Sequence, residues 1–486
     1  IHHSLRAGEG LVPRQRAGCG GSAMTLHLYD SLRRSVVPVE PLTPGQLGLY
    51  VCGPTVYGPI HVGNARPFVV AMTLARHLRR TGWQVKVVSN LTDINDKIYT
   101  AAVAEGIESE ALAARESARY IADTTRLGLG RPDVEPKVTD SLPEIIAMIE
   151  QLIAGGHAYA ADGDVYFSVA DFPSYGALSG QKIDEMQPEE ITSKKAAPLD
   201  FALWKATKPG EDAAWESPWG LGRPGWHIEC SAMAMTALGE EIDIHGGGID
   251  LKFPHHENER AQSEALTGRP FSRIWLHNGM LRFGGDKMSK SLGNIDRLAD
   301  ALDREGPETL LSLFARAQYR SSVDYSPDSL EDARRSNDRL REALRRAART
   351  SGTVPAAAGG PLAEAAAEVD SRFCAALDDD FATPEALAAL FDLVRQLNAA
   401  IDAGDADPAD VAAARGVLVD CLYVLGLDGL AASTEGPPAE ALALLQEREN
   451  ARIERNFERA DALRDELLAL GWVVQDLPDG PELTPA

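Results

Sequence analysis

Residues 47–64 of this 486-residue chain read LGLYVCGPTVYGPIHVGN. The apolar run at 47–52 has the composition of a β-strand, and it ends at a Gly-Pro turn signal. Apolar residues then recur at helical spacing as far as Gly82, and a valine-rich run follows at 84–88. Strand, helix and strand in this order predict a right-handed parallel βαβ unit, the building block of an α/β sheet.

Three residues with chemically useful side chains fall where ligands bind in such sheets. Cys52 and Thr92 lie at or just beyond the ends of the two predicted strands, and His61 stands at the start of the predicted helix. Ligands of open parallel sheets bind outside the carboxyl ends of the strands. The sequence therefore predicts a binding site at this edge of the sheet.

The remaining chain divides by composition and periodicity. A His-His pair and a protease-site-like LVPR segment make residues 1–23 an expected expression-tag leader, with Met24 as the natural start. Two halves of a sheet domain are expected at 24–130 and 225–295, with an α+β insertion between them at 131–224. Helical regions are expected at 296–350, 351–428 and 429–486. The predicted fold class is α/β, a parallel-sheet domain split by an insertion and followed by all-helical domains.

Several individual elements are predicted with this division. The second half of the sheet should resume with a strand at 225–230, followed by a helix at 231–238 and a further strand at 274–277. Helices are predicted at 301–317 and 329–350, and a helical hairpin at 439–470. The Pro-, Gly- and Asp-rich tail beyond it is expected to be loosely held.

Charge and cysteine content narrow the possible environments. The formal charge of −24 argues against general attraction to nucleic acid or to anionic membranes, although a local basic surface can still bind RNA. No apolar run approaches the roughly 20 residues that span a bilayer. The five scattered cysteines are Cys19, Cys52, Cys230, Cys374 and Cys421, a pattern that favours a reducing cytoplasm over a disulfide framework. Because no self-pairing feature is evident, we expect a monomer.

A second informative stretch, residues 243–259, reads DIHGGGIDLKFPHHENE. A strand-like run enters a predicted glycine turn, whose glycines could adopt positive φ or let a ligand lie against bare backbone. Pro254 suits the first turn of a following helix. His255 and Glu259 are four residues apart and share one helix face, whereas His256 points elsewhere.

Four residues from three parts of the chain could form a metal site, namely Cys52, Cys230, His255 and Glu259. Two thiolates, an imidazole and a carboxylate make a plausible zinc shell, although they are too scattered for a zinc finger. The alternative interpretation is a buried structural cysteine at each of two strand ends and an exposed helix with two histidines. Spacing alone leaves both interpretations open.

A possible phosphate site combines the HVGN sequence at 61–64 with the KMSKS sequence at 287–291. A helix N-terminus offers unpaired N–H groups and a positive dipole end to phosphate. Gly63 would let a nucleotide approach closely, and Lys287 and Lys290 would add positive charge. Each short motif alone is weak, because a lysine-serine loop is more often a solvated surface.

The predicted helix at 329–350 carries seven arginines interleaved with acidic residues. Such a helix is usually a solvated face with ion pairs at i,i+4 spacing. Phosphate contact is the alternative.

Taken together, these motifs resemble those of a known family. HVGN resembles the H-I-G-H motif and KMSKS matches the K-M-S-K-S motif of class I aminoacyl-tRNA synthetases. The segments YVCGPTVY at 50–57, GWHIECSAM at 225–233 and the stretch at 243–259 are similar to those of cysteinyl-tRNA synthetases. The resemblance runs from about Leu26 to near the C-terminus and includes LDDDFATP at 377–384.

This resemblance implies a Rossmann-type catalytic domain that ligates L-cysteine to tRNA(Cys) in the cytoplasm, using ATP with Mg²⁺ and a cysteinyl-adenylate intermediate. It implies one Zn²⁺ per chain, which selects the substrate thiolate. The helical regions would contact the tRNA stem at 296–350, bind tRNA at 351–428 and read the anticodon at 429–486. The implied metal ligands are Cys52, Cys230, His255 and Glu259; the catalytic residues are His61, Asn64, Lys287 and Lys290; the ATP-binding residues are Gly63, Gly247, Asp250, Ser289 and Lys290; and the cysteine-binding residues are Gly53, Thr92 and Trp226.

Two departures from the family pattern stand out. Asn64 replaces the second histidine of the first motif, and an uncharged amide could contribute less to phosphate binding. Residues 481–486 replace an aromatic and basic ending, which affects the expected anticodon contacts.

Three other functions are compatible with parts of the pattern. A mycothiol-pathway cysteine ligase would keep zinc and adenylation but would not need the long helical C-terminus. A non-catalytic RNA-binding paralogue would not need the lysine motif or the complete set of metal ligands. A zinc hydrolase would need a ligand position open to water, and four protein ligands leave little room for one.

Overall fold

The computed structural model describes eight stretches of the chain. These are residues 25–187, 192–283, 286–287, 296–351, 358–404, 406–432, 439–477 and 480–485. The expected leader at 1–23, and Ser289 and Lys290 of the lysine motif, lie outside them. Among the described helices, none combines the length and apolar character needed to cross a lipid bilayer.

The first part of the chain contains the predicted strand–helix–strand unit. Two strands, β3 and β4, lie parallel in the register Leu47↔Val85, and helix α1 connects them. The prediction of a βαβ unit is confirmed. The elements in order are β1 His27–Asp30, β2 Ser35–Pro38, β3 Gln46–Val51, α1 Val62–Arg80, β4 Gln84–Ser89, α2 Asp96–Glu105 and α3 Ser109–Thr125.

The next elements form an α+β unit with its own antiparallel sheet. Helix α4 precedes four strands that pair in the order β5-β6-β7-β8, and Phe167 faces Phe201 across the middle pair. The rings of these two residues stack at 4.9 Å within a buried apolar cluster. The bounds are α4 Leu142–Ala154, β5 Ala158–Ala161, β6 Asp164–Phe167, β7 Phe201–Ala206 and β8 Gly222–Pro224.

The parallel sheet is completed after this unit. Strand β9 pairs in parallel with both β3 and a further strand, β10, so the sheet order is β10-β9-β3-β4. Leu49 and Tyr50 of β3 enter different apolar clusters, because successive strand residues point to opposite faces. The bounds are α5 Trp226–Leu238, β9 Ile242–Gly248, α6 Glu257–Thr267 and β10 Ser272–Asn278.

The predicted strand at residues 225–230 is wrong, because this stretch begins helix α5. Gly225 is extended (ψ 150°) and precedes the helix, which runs uninterrupted to Leu238. Every residue from His227 to Ala234 is buried. Because polar and apolar residues of this stretch are buried alike, no exposed face distinguishes the start of the helix from a buried strand.

The predicted glycine turn is also wrong, because Gly246, Gly247 and Gly248 are the last residues of strand β9. None of them has positive φ. A Cβ on Gly246 would lie 2.9 Å from Cγ2 of Val51, and one on Gly247 would lie 2.8 Å from Cε1 of His256. These glycines are therefore needed for close packing. The predicted proline-led helix begins slightly later, since Pro254 lies in the single turn Lys252–His256 before α6.

The C-terminal half is mainly helical, as predicted, with small strands at its beginning and end. The expected helix at 301–317 is divided at Gly306, which has a φ of +74°. The elements are β11 Leu281–Phe283, β12 Asp286–Lys287, α7 Leu298–Glu305, α8 Pro307–Ala315, β13 Val323–Asp324, α9 Pro327–Ser351, α10 Pro361–Asp378, α11 Thr383–Ala403, α12 Pro408–Leu425, α13 Gly429–Ala432, α14 Ala439–Ile453, α15 Phe457–Ala469, β14 Trp472–Leu477 and β15 Gly480–Pro485.

Helix α9 has a face of ion pairs, which is the first of the two interpretations that its sequence allows. Its intrahelical pairs have i,i+3 spacing, however, with each acidic residue three positions before its arginine. The pairs are Glu331–Arg334, Asp332–Arg335, Asp338–Arg341 and Glu342–Arg345.

The prediction of a loosely held tail is wrong for the described residues. Strands β14 and β15 pair antiparallel over six residue pairs, from Trp472↔Pro485 to Leu477↔Gly480. Val474 and Leu483 are buried against Ala441 and Leu467 of the helical hairpin. Apolar residues at alternate positions of the tail outweigh its proline and glycine content, because they can cover the hairpin.

The start of α5 gives a stability prediction. A Cβ on Gly225 would lie 1.9 Å from the carbonyl oxygen of Ala202, and backbone cannot give way as a flexible side chain can. Gly225→Ala should lower the free energy of unfolding by about 1–3 kcal/mol, seen as a lower Tm in thermal unfolding. In Gly416→Ala the new methyl group meets open space on α12, so this control should gain roughly 0.5–1 kcal/mol from helix propensity. Equal Tm values for the two variants would contradict the close approach at Gly225.

Candidate active site and metal centre

A cavity of about 520 Å³ opens at the carboxyl ends of the parallel strands. Its lining includes Cys52, Cys230 and His255 in one part and His61 and Asn64 in another. Gly53, Thr92 and Trp226 also line it. The structure therefore brings candidate metal ligands, candidate phosphate-binding residues and candidate substrate-binding residues to one site.

The four predicted metal ligands converge from three places in the fold. Cys52 follows β3, Cys230 lies in α5, and His255 and Glu259 come from the turn before α6 and from α6 itself. Their ligand atoms all lie within 4.8 Å of one another, and all four residues are buried. Cys230 therefore reaches the cluster from a helix, and not from the strand end that the sequence predicts.

Glu259 is the most strongly paired member of the cluster. Its Oε1 lies 3.0 Å from Nε2 of His255, and its Oε2 lies 2.9 Å from Nε2 of His245 on β9. The Cys52 thiol donates to Oε1 over 3.4 Å. A buried carboxylate needs such partners, since its charge is otherwise costly to desolvate.

Two aromatic neighbours hold the His255 ring. The ring of Trp226 stacks on it at 4.3 Å with an interplanar angle of 26°. Nδ1 of His227 lies 3.0 Å from Nδ1 of His255. A partner on one imidazole nitrogen fixes the ring orientation and leaves the other nitrogen directed at the cluster, which is the usual arrangement of a metal-binding histidine.

The metal-free cluster has an uneven distribution of protons. The hydrogen bond from Cys52 lowers the pKa of Cys230 to about 6, whereas burial and the charge of Cys230 raise the pKa of Cys52 well above its usual value. Burial opposes the charged form of His255, but Glu259 and Cys230 outweigh it and raise the pKa of His255 to about 10. These shifts favour the proton on Cys52 and His255 and the negative charge on Cys230 and Glu259.

A second donor set overlaps the first, and consists of Cys52, His245, His256 and Glu259. It offers one sulfur where the first offers two. His245 and His256 are not among the described residues that line the cavity, whereas three members of the first set are. The predicted set therefore suits a borderline-soft metal that contacts a substrate better than the second set does.

The residues beside the cluster are held by a network around Asn90. Its Oδ1 accepts from the N–H of Gly53 at 2.9 Å, and its Nδ2 donates to Oγ1 of Thr92 at 3.1 Å. A Cβ on Gly53 would lie 1.7 Å from the carbonyl oxygen of Asn90, so only glycine fits there. Sequence reasoning missed Asn90, because it acts through its neighbours.

The HVGN sequence forms the start of α1 beside the cavity. The N–H of His61 donates to Oδ1 of Asn64 at 3.2 Å, as part of a capping box. A Cβ on Gly63 would lie 3.0 Å from the His61 ring. Asn64 thus caps the helix while its amide group remains exposed beside the cavity.

The remaining predicted site residues have different positions. Asp250 lines the cavity, as does Gly248, whereas Gly247 faces His256 and is absent from the described lining. Lys287 lies in strand β12, and its backbone pairs with that of Arg282 in strand β11. Further lining residues that sequence reasoning missed are Tyr57, Lys97, Tyr120, Asn278, Gly279, Met280 and Leu281. Apart from Tyr57, which ends the YVCGPTVY segment, these residues lie outside the quoted motifs, and only the folded chain shows that they meet at the cavity.

Comparison with known proteins identifies the family. The model for the class I (C) tRNA synthetase catalytic domain matches residues 38–335, the DALR domain model matches residues 372–430, and the cysteinyl-tRNA ligase anticodon binding domain model matches residues 434–480. The chain belongs to the cysteinyl-tRNA synthetase family. A cysteine–tRNA ligase from Brevibacillus brevis is 44% identical to this synthetase, over 94% of this chain and 99% of that relative. A cysteine–tRNA ligase from Halorhodospira halophila is 46% identical, over 94% of this chain and 98% of that relative.

Solved structures share the fold of this synthetase at low identity. Methionyl-tRNA synthetase of Mycobacterium tuberculosis, in complex with methionyl-adenylate, matches with a TM-score of 0.59 at 16% identity, over 80% of this chain and 90% of that one. The LeuRS of Agrobacterium radiobacter K84, in a ternary complex with tRNA, matches with a TM-score of 0.61 at 11% identity, over 82% of this chain and 86% of that one. The predicted fold class, a Rossmann-type sheet followed by helical domains, is confirmed. The prediction of an aminoacyl-tRNA synthetase that charges tRNA with cysteine is also confirmed.

The proton distribution in the cluster gives a prediction for metal binding. A divalent metal that binds all four donors at pH 8 must displace one proton from His255 and one from Cys52, so about two protons should be released per ion. Because protons compete with the metal, affinity should rise with pH between about 6 and 10. Metal-free protein titrated with Zn²⁺ in weakly buffered solution containing a pH indicator measures this release.

Cys230→Ser and Cys421→Ser are matched variants for this titration, since both cysteines are buried but only Cys230 belongs to the cluster. Cys230→Ser should lose more than about 100-fold in metal affinity, because loss of an outer partner alone costs 10–100-fold. Cys421→Ser should bind as the wild type does. Full metal binding by Cys230→Ser, or uptake without proton release, would contradict the proposed ligand set.

Proposed function

We propose that this chain ligates L-cysteine to tRNA(Cys) through a cysteinyl-adenylate, and that a Zn²⁺ ion selects the thiolate of the substrate. One observation carries the proposal: the thiol and imidazole donors open onto the same cavity as the start of α1. An amino acid bound at the metal cluster and a nucleotide bound at the helix would share that cavity.

The donor set fits zinc in its chemistry. Two cysteines, one histidine and one glutamate are all common zinc ligands, and all four are buried within 4.8 Å of one another. When bound, Zn²⁺ would supply a soft Lewis acid that prefers thiolate to hydroxyl and lowers the pKa of a thiol. Cysteine and serine differ by one atom, and an apolar pocket separates such pairs by only about 1–3 kcal/mol.

The neighbouring side chains would orient the amino acid. Trp226 lines the cavity while stacked on His255, which fixes the position of its indole. Thr92 and Gly53 are both held by Asn90, and both line the cavity beside Cys52. Together they would place the carboxylate of cysteine towards the nucleotide.

In the first step an oxygen of that carboxylate attacks the α-phosphorus of ATP in line. The new O–P bond forms as the bond to the β-phosphate oxygen breaks, which gives cysteinyl-adenylate and pyrophosphate. The positive dipole end of α1, with His61, Gly63 and Asn64, would hold the phosphates. By family resemblance, Lys287 and Lys290 would neutralise the developing charge and Ser289 would bind ATP, with Mg²⁺ accompanying ATP. Asp250 and the backbone of Gly247 and Gly248 would border the adenosine.

In the second step the terminal ribose hydroxyl of the tRNA attacks the adenylate carbonyl, and AMP leaves. Positioning and electrostatics would dominate this step. We assign tRNA contacts to the helical regions, with the stem at 296–350, further contacts at 351–428 and the anticodon at 429–486. Within 429–486, helices α14 and α15 form a hairpin that strands β14 and β15 cover. We further propose that the enzyme acts as a cytoplasmic monomer.

The anticodon-binding domain model at residues 434–480 favours a tRNA acceptor over the amino-sugar acceptor of the mycothiol-pathway ligases. Measuring cysteine transfer to tRNA(Cys) and to glucosaminyl-inositol with the same preparation distinguishes these acceptors.

Cysteine-dependent exchange of pyrophosphate into ATP tests the adenylation step. The zinc-loaded protein should activate cysteine and should discriminate against serine by more than the roughly 200-fold that an apolar pocket allows. Lys290→Ala should slow the exchange and leave the zinc content unchanged, because its role is with phosphate. Lys182→Ala, at an exposed position of the insertion, should exchange as the wild type does. Equal activation of serine and cysteine would exclude thiolate selection, and an undiminished rate in Lys290→Ala would remove that residue from the mechanism.

A further inference from the structure

Asp380 lies between helices α10 and α11 and has an unusually large number of partners for one carboxylate. It is 6% exposed. Its Oδ1 accepts from the N–H of Tyr29 at 2.8 Å and from the hydroxyl of Tyr319 at 3.1 Å. Its Oδ2 accepts from Nε of Arg320 at 3.0 Å and from Nε2 of Gln318 at 3.3 Å.

The backbone at Asp380 is strained. The φ angles of Asp380 and Phe381 are +53° and +50°, in the left-handed region that non-glycine residues rarely adopt. Such a conformation persists only where the surrounding structure holds it in place. The strain directs the side chain of Asp380 to residues 318–320, and Nε2 of Gln318 also donates to the Asp380 carbonyl oxygen at 2.8 Å.

Residues 318–321 form a turn that packs directly against the wall of the reaction cavity. The N–H of Gly279 donates to the carbonyl oxygen of Tyr319 at 2.8 Å, and the N–H of Val323 donates to that of Met280 at 3.0 Å. A Cβ on Gly279 would lie 2.3 Å from the carbonyl oxygen of Ser321. Any displacement of this turn would therefore displace Gly279 and Met280, which line the cavity.

The same wall is tied to the phosphate-binding helix. Nη1 of Arg66 on α1 donates to the carbonyl oxygen of Gly279 at 2.6 Å, and its Nη2 donates to that of Gln318 at 3.4 Å. Leu281 continues the wall, with its Cβ 3.5 Å from the Cβ position of Gly63. A continuous chain of contacts thus leads from the helical bundle through Asp380 to the start of α1.

We propose that Asp380 is a positioning residue for adenylation: it clamps the 318–321 turn under Gly279–Leu281 and thereby lets the helical domain set the position of this cavity wall. The proposal rests on the proposed function and deepens it, because it assigns part of the geometry of the adenylation site to a residue that touches no reacting atom.

The competing interpretation is that Asp380 only joins two domains. Asp378 provides the matched comparison, because its Oδ1 lies 2.8 Å from Nε2 of the buried His77 and joins α10 to α1 without contacting the 318–321 turn. A purely adhesive role predicts that loss of either carboxylate affects the protein in the same way.

The test compares Asp380→Asn and Asp378→Asn in the full-length, zinc-loaded protein. Asparagine tolerates the left-handed region as well as aspartate does, so Asp380→Asn removes charge without adding backbone strain. Asp380→Asn should lower kcat for cysteine-dependent pyrophosphate exchange by about tenfold or more, since small misplacements cost up to about 100-fold. KM for cysteine and the zinc content should stay unchanged, because the hydrogen bonds of Asp380 go to Tyr29 and to residues 318–320 and not to the four metal ligands. Asp378→Asn should keep the wild-type kcat even where its Tm falls.

A second variant tests whether general unfolding, and not the loss of the clamp, explains a lower kcat. Tyr319→Phe removes only the hydroxyl that donates to Asp380 and should lower kcat in the same direction by a smaller factor. Equal kcat values in Asp380→Asn and the wild type, or equal losses in Asp380→Asn and Asp378→Asn, would overturn the positioning role while the adenylation activity stands. Absence of exchange in the wild type would overturn the proposed function and this inference together.

Discussion

The buried carboxylate of Glu259 sets the geometry on which the site depends. A charge in a protein interior is tolerated only when partners replace its water, and Glu259 has them on both oxygens. One oxygen meets His245 of strand β9, and the other meets His255 from the turn before α6. Helix α6 must therefore dock beside β9 in a fixed orientation. The pairing also lowers the pKa of Glu259 far below its usual value, since the two imidazoles outweigh the effect of burial.

This docking determines where the two thiols can meet the imidazole. Because β9 pairs with β3, Cys52 at the end of β3 comes within 3.4 Å of Glu259. Helix α5 brings Cys230 to the same point, and its start is fixed by the contact of Gly225 with the backbone of β7. The glycines at the end of β9 keep its surroundings tightly packed. The donor cluster and the cavity at the strand ends are thus two consequences of one packed sheet edge.

Much of the fold could be predicted from sequence because it depends on local patterns. The apolar periods at 47–88 predict the βαβ unit, which is confirmed. The four-residue spacing of His255 and Glu259 predicts that they share a face, and their side chains do meet at 3.0 Å although His255 lies in the turn before α6. The helical part of α5 at 231–238 could be predicted, but its first turns could not, since residues 227–234 are all buried and show no exposed face that would reveal the period. The role of Gly246–Gly248 depends on which side chains pack against them. The strand pair of the tail depends on a surface made by α14 and α15. The role of Asn90 and the position of Asp380 are likewise set by tertiary contacts, which a motif does not encode.

The central claim is that the sulfur of the substrate joins the buried donor cluster. Loading the metal-free protein with Cd²⁺ makes this directly visible, because each thiolate bound to cadmium adds ultraviolet charge-transfer absorption. Adding L-cysteine to the loaded protein should increase that absorption until one substrate is bound per chain, and adding L-serine should leave it unchanged. No increase with cysteine, under conditions where the same cadmium protein forms cysteinyl-adenylate, would contradict the account.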